Sequence, residues 1–155
     1  MARMGSEGPR STNHSVITVN QLTMINLAPR DREGGDCFIR AMAYILRGRA
    51  HYTEIEELVV REQPEYDPYR KTRTGIYSFQ FLRYERRLFG KVFKHFRVAL
   101  FDKVSIRNFV HNNQMGTFLV CAHQHAFVVE NGQIFDARTT RWEEFVREAW
   151  IVETA

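Results

Sequence analysis

The run HAFVVENGQIFDAR, residues 125–138, constrains the fold more tightly than any other part of the chain. Asn131 and Gly132 separate two runs of β-branched and aromatic residues, which is the pattern of a hairpin closed by a two-residue type I′ turn. A two-residue turn leaves one register. Glu130 then faces Gln133, Val128 faces Phe135, Phe127 faces Asp136 and His125 faces Arg138. Side chains alternate along a strand, so His125, Phe127, Asp136 and Arg138 share one face. His125 lies diagonal to Asp136, with backbones about 7 to 8 Å apart, within reach of an imidazole and a carboxylate. His123 is one step further from Asp136, and Glu130 points to the opposite face. The hairpin therefore predicts a His125–Asp136 pair.

Around this hairpin the remaining elements alternate without an internal repeat. GTFLVCA precedes it as a strand, and KVFKHFRVAL reads as another. Upstream, Asp36 stands as N-cap of a helix running to about Arg47, with Gly48 as its stop. Thr53 and Glu56 have capping-box spacing for a second helix to about Glu62. A third is expected from Ile76 to about Leu88, and a fourth from Asp102 to about Gln114. Ser15–Val19 is a candidate short strand, and WEEFVREA a short helix or extended tail. Helices precede an antiparallel sheet, the α+β pattern. With 155 residues, 44% of them hydrophobic, one core is expected, giving a flexible tail over 1–14 and a single domain over 15–155. No apolar run approaches the roughly 18 residues a membrane helix needs, and the N-terminus lacks a signal-peptide core. A soluble, cytoplasmic protein is the expectation.

One position on the first helix stands out. Phe38, Ile39, Ala41, Met42, Ile45 and Leu46 form its apolar stripe, whereas Cys37, Arg40, Tyr44 and Arg47 fall on the other side. Cys37 occupies the first turn, where unpaired N–H groups and the positive end of the helix dipole stabilise a thiolate. Gly34 and Gly35 allow close approach just upstream, while Asp36 opposes a second negative charge beside it. The chain has one other cysteine, Cys121, and no disulfide framework, so both thiols are expected free.

A cysteine opening an early helix, then a histidine entering a strand, then an acid on the next strand is a recognisable order. DCFIRA, residues 36–41, and HAFVVENGQIFD, residues 125–136, resemble the papain-like cysteine peptidase superfamily, above all its small bacterial and phage members. The resemblance covers about Gly34 to Arg138 and implies a papain-like α+β fold. It implies Cys37 as nucleophile, His125 as general base and then acid, and Asp136 as the group that orients the imidazole. The implied activity is peptide hydrolysis of a polypeptide substrate through an acyl-enzyme. Deamidation or acyl transfer would use the same three residues, and a papain-like domain that only binds a partner is a further reading. One departure stands out, because papain-like enzymes usually carry a glutamine six residues before the cysteine and this chain has Asp31 there. A carboxylate repels developing negative charge. The oxyanion donors left are the Cys37 N–H and the amides of Gln21, Asn20, Asn26 or Gln124.

A rival from another class lies between Tyr69 and Arg97, where basic residues including Arg83, Arg86 and Arg87 interleave with aromatics. Such a surface can neutralise phosphates and stack on bases, and the net charge of +4 suits an acidic partner such as nucleic acid. The blander reading is an amphipathic helix and strand that bury the aromatics and solvate the cations. No nucleic-acid-binding signature accompanies the segment. Cys121, His123 and His125 form CxHxH, but no second ligand cluster accompanies them, so no metal is expected. No nucleotide-binding or calcium-binding motif occurs, and no cofactor is expected.

Overall fold

The N–G turn forms as a type I′ turn requires, with positive φ at both central residues, 50° at Asn131 and 78° at Gly132. In the computed structural model, which describes residues 17–32, 35–69, 93–96 and 103–153, this turn joins β3 (His125–Glu130) to β4 (Gln133–Phe135). Glu130 pairs with Gln133, Val129 with Ile134 and Val128 with Phe135. Two residues, His123 and Gln124, connect β2 (Thr117–Ala122) to β3, and Gln124 takes the left-handed conformation at φ 50°. β1 (Phe93–Phe96) and β5 (Glu148–Val152) complete an antiparallel sheet in the order β1-β5-β2-β3-β4.

Two layers of helix cover the two faces of this sheet, as its alternation dictates. Leu119, Cys121, Ala126, Val128 and Trp150 point to one side and pack with α1 (Val19–Asn26), α2 (Cys37–Ile45) and α3 (Tyr52–Glu62). Phe118, Val120, Phe127, Val129 and Ala149 point to the other and pack with α4 (Ile106–Asn112). Phe96, Phe109 and Phe118 meet edge to face there, at centroid separations of 5.1 to 6.0 Å. The architecture is α+β with an antiparallel sheet. Among the described residues no helix is long and apolar enough to cross a membrane.

Several local expectations are corrected. The described end of the expected strand over Ser15–Val19 enters α1 instead. Thr18 accepts from the Gln21 N–H at 3.1 Å while Gln21 Oε1 accepts from the Thr18 N–H at 2.9 Å, a reciprocal cap that starts a helix. α3 starts at Tyr52 rather than after Thr53, because Glu54 Oε1 accepts from the His51 N–H at 2.9 Å. Glu56, expected in the cap, is buried in an ion pair with Arg32. Of the two forms expected for WEEFVREA, the extended one holds at its end, which enters β5, an interior strand held on one side by β1 and on the other by β2. The expected helix from Ile76 to Leu88 lies outside the described residues.

α2 is buried almost all round, which places its N-terminus with little freedom. Tyr44, expected on the polar side, is buried, stacks on Phe135 at 4.5 Å and donates to Glu130 at 2.6 Å. Thr117 adds a hydrogen bond to Glu130 at 2.9 Å and Arg47 an ion pair at 3.4 Å. These contacts tie the C-terminal half of α2 to the far end of β3. The helix start is thereby left near the other end of that strand, beside His125.

Candidate active site

Cys37 is the first residue of α2 and is only partly buried. In a two-residue β2–β3 hairpin Ala122 and His125 form the hydrogen-bonded pair, so the N–H of Ala126 points away from β2 and toward β4. The β3–β4 ladder ends at Phe135, two residues short of supplying an acceptor there. The sulfur takes that place, with Ala126 N–H donating to Cys37 Sγ at 3.4 Å. An interrupted ladder is what seats the thiol against the strand.

His125 and Asp136 meet through the predicted register. The imidazole Nε2 lies 2.8 Å from Asp136 Oδ1 and 2.9 Å from Oδ2. A carboxylate only accepts, so Nε2 carries the proton. Asp136 is 4% exposed and also accepts from the Arg138 N–H at 3.1 Å. That local turn bends the chain away from the strand, so the expected pairings of Phe127 with Asp136 and His125 with Arg138 do not form as ladder rungs. His125 stacks on Phe127 at 5.8 Å, as residues two apart on one strand face do. Cys37 stands near enough to this imidazole to raise its pKa. With Nε2 on Asp136, Nδ1 is the nitrogen left for the sulfur.

The electrostatics follow from this arrangement. Burial disfavours the imidazolium, but the hydrogen bonds and charges of Asp136 and Cys37 outweigh it and raise the His125 pKa to about 9. Because the folded value lies above the unfolded one, this ionisation stabilises the fold fully below about pH 6.5, the ordinary histidine value. The contribution is lost as pH rises through about 9. Asp136→Asn should therefore cost on the order of 3 kcal/mol near pH 6 and progressively less toward pH 9.5. Urea unfolding of both proteins across that range checks it, and a pH-independent gap would contradict the coupling.

The other singled-out residues sit elsewhere. Gln21 caps α1, and the Asn20 amide donates to Ile134 O at 3.0 Å, anchoring α1 to β4. Asn26 lines a 540 Å³ cavity with Ala43, Arg47, His51 and Tyr52, toward the C-terminal end of α2 and away from Cys37. Gln124 is exposed in the turn before His125. Asp31 is exposed and pairs with Arg32. In CxHxH the alternation stops at Ala122: Cys121 is buried in the core, His123 is exposed in the turn, and His125 is on Asp136. Among the described residues no three of His, Cys, Asp or Glu are grouped so as to hold a metal ion. Arg83, Arg86 and Arg87 lie outside the described residues. Of the flanking positions, Lys94 is exposed while Phe96 packs into the α4 layer, and Tyr69 lies under the Arg32 guanidinium at 4.6 Å.

Sequence reasoning missed one cluster. Asp36 stands at the N-cap but makes no side-chain cap. Its carboxylate is 4% exposed and accepts from Arg40 Nε at 3.1 and 3.0 Å and from the Tyr52 hydroxyl at 2.6 Å. The i, i+4 spacing of Asp36 and Arg40 is the signal that identifies the ion pair; Tyr52 has no comparable local signal. The chain matches no protein-family model, no curated protein and no solved structure. The functional reading rests on this geometry.

Proposed function

We propose that the protein is a papain-like thiol hydrolase in which Cys37, His125 and Asp136 form the catalytic triad. The observation that carries this reading is one imidazole held by both oxygens of a buried carboxylate, with a cysteine at a helix start seated on the N–H of the very next residue, Ala126. The thiol proton passes to His125 Nδ1, giving the imidazolium that Asp136 stabilises, and the resulting thiolate attacks an acyl carbon to form a C–S bond. The imidazolium, held by Asp136, returns the proton to the leaving group, whose bond to the acyl carbon breaks. Water then gives a proton to His125 and its oxygen to the acyl carbon, the C–S bond breaks, and the thiol is restored. A peptide or related amide of a polypeptide is the proposed substrate. The Cys37 N–H, a first-turn group with no acceptor within the helix, is the proposed oxyanion donor from the main chain.

Covalent labelling tests this directly. A cysteine-directed acyl-electrophile probe should label one site, and Cys37→Ala should remove the label. Iodoacetamide near neutral pH should likewise modify Cys37 well before Cys121, which is 7% exposed and whose thiol pKa burial pushes up. Equal labelling of the two thiols in the native protein would count against a catalytic Cys37.

A further inference from the structure

Asp36 presents a problem for a nucleophile at Cys37. A carboxylate in the adjacent residue disfavours a thiolate, and as a conventional N-cap it would also compete for the first-turn N–H groups. Its side chain does neither job of a cap. Arg40 Nε, one turn on, binds both of its oxygens, and Tyr52 on α3 donates to Oδ2. The Arg40 side chain is 13% exposed, and its Nη1 donates onward to Met24 O at 3.0 Å and Ile25 O at 2.8 Å. Those are carbonyls of the last turn of α1, where the helix dipole is negative and a cation is favoured. One guanidinium thus joins the end of α1, the start of α2 and the carboxylate beside the thiol.

We propose that Arg40 is the positioning residue of the nucleophile: by pairing with Asp36 it turns that carboxylate off the α2 N-terminus and cancels its charge, so that Cys37 ionises beside a neutral pair. The inference rests on the triad reading. Among the described residues, a small set of charged and titratable groups faces this cluster. At α2 stand its N-cap Asp36 and Arg40, and on α3 Tyr52 and Glu56. Arg32 pairs with Glu56, and Tyr66 follows α3, its hydroxyl buried with no hydrogen-bond partner among the described residues. From the sheet side come His125 and Asp136. Burial, then the hydrogen bond to Asp36, holds the Tyr52 phenol far above its ordinary pKa, so it remains a donor across the working pH range.

The test is the pH dependence of iodoacetamide alkylation of Cys37 in the full chain carrying Cys121→Ala. Arg40→Met should raise the midpoint by about one pH unit or more, since it leaves an uncompensated carboxylate beside the thiol. At a fixed pH below both midpoints that is about a tenfold loss of rate. Asp36→Asn should lower the midpoint, and the double variant should return it to near the parent value. Arg40→Lys keeps the charge and should keep the midpoint even where the lost fork weakens the fold. Should Arg40→Met not fold, Asp36→Asn and Arg40→Lys still decide the matter. Shifts of the same sign in Arg40→Met and Asp36→Asn, or none in either, overturn the inference. His125→Ala separates this from the triad itself. If it moves the midpoint while the Asp36 and Arg40 variants do not, the triad stands and only the role of Arg40 falls. If no variant moves a midpoint that equals that of an ordinary thiol, both fall.

Discussion

Cys37→Ala and His125→Ala are each expected to abolish turnover of an activated acyl or peptide substrate, a loss of at least about a thousandfold in kcat, while the fold survives. Neither change disturbs the sheet, since Cys37 lies at the edge of the core and His125 at the end of β3. Asp136→Asn should be nearly as damaging, about a thousand- to ten-thousandfold. An amide at that position can donate to Nε2, which would favour the tautomer with its proton on Nδ1, where the thiol proton must go. The three variants should be far from additive, because each removes a part of one proton path. Steady-state kinetics with circular dichroism as the control for folding measures all of this. Full turnover in Cys37→Ala would end the thiol-hydrolase reading, and full turnover in Asp136→Asn would restrict Asp136 to a structural role.

The largest expected loss of stability comes from Glu56→Ala. Arg32 donates from Nε to Glu56 Oε2 at 2.6 Å and from its terminal nitrogen to Oε1 at 2.7 Å, a bidentate pair with side chains 7% and 8% exposed. Its guanidinium also lies near the faces of Tyr52 and Tyr69, at 6.0 and 4.6 Å. Removing the carboxylate leaves a buried cation with, among the described residues, only the exposed Asp31 to pair with, which costs roughly 3 kcal/mol. That is a large part of the 5 to 15 kcal/mol typical of a whole domain. Replacing both partners together, Arg32→Met with Glu56→Leu, should recover most of it, because neither charge then has to be desolvated. Urea denaturation gives both values. A loss under about 1 kcal/mol for Glu56→Ala would mean that water reaches the pair.

Both groups of residues show where sequence patterns carry far and where they stop. The hairpin was legible because its information is local. Two residues of positive φ define the turn, the turn defines the register, and alternation brings His125 and Asp136 to one face. The start of α2 at Cys37 was legible for the same reason. α1 was misread as a strand over Ser15–Val19, although the Thr18 and Gln21 capping pair that starts it is a local signal.

Tertiary structure alone decided the rest. β5 has no local signature that separates it from a helix, and its place is set by ladders to β1 and β2. Asp36 has the sequence of a cap, but the stronger charge-assisted bonds to Arg40, with Tyr52 from α3 as second partner, draw it elsewhere. Glu56 likewise left its expected cap for Arg32, 24 residues upstream. Turns and short-range registers are written in backbone sterics, which act over a few residues and so can be read from the sequence. The partner of a buried charge is whichever group packing brings close enough to outweigh the cost of leaving water, and that choice exists only once helices and sheet have come together.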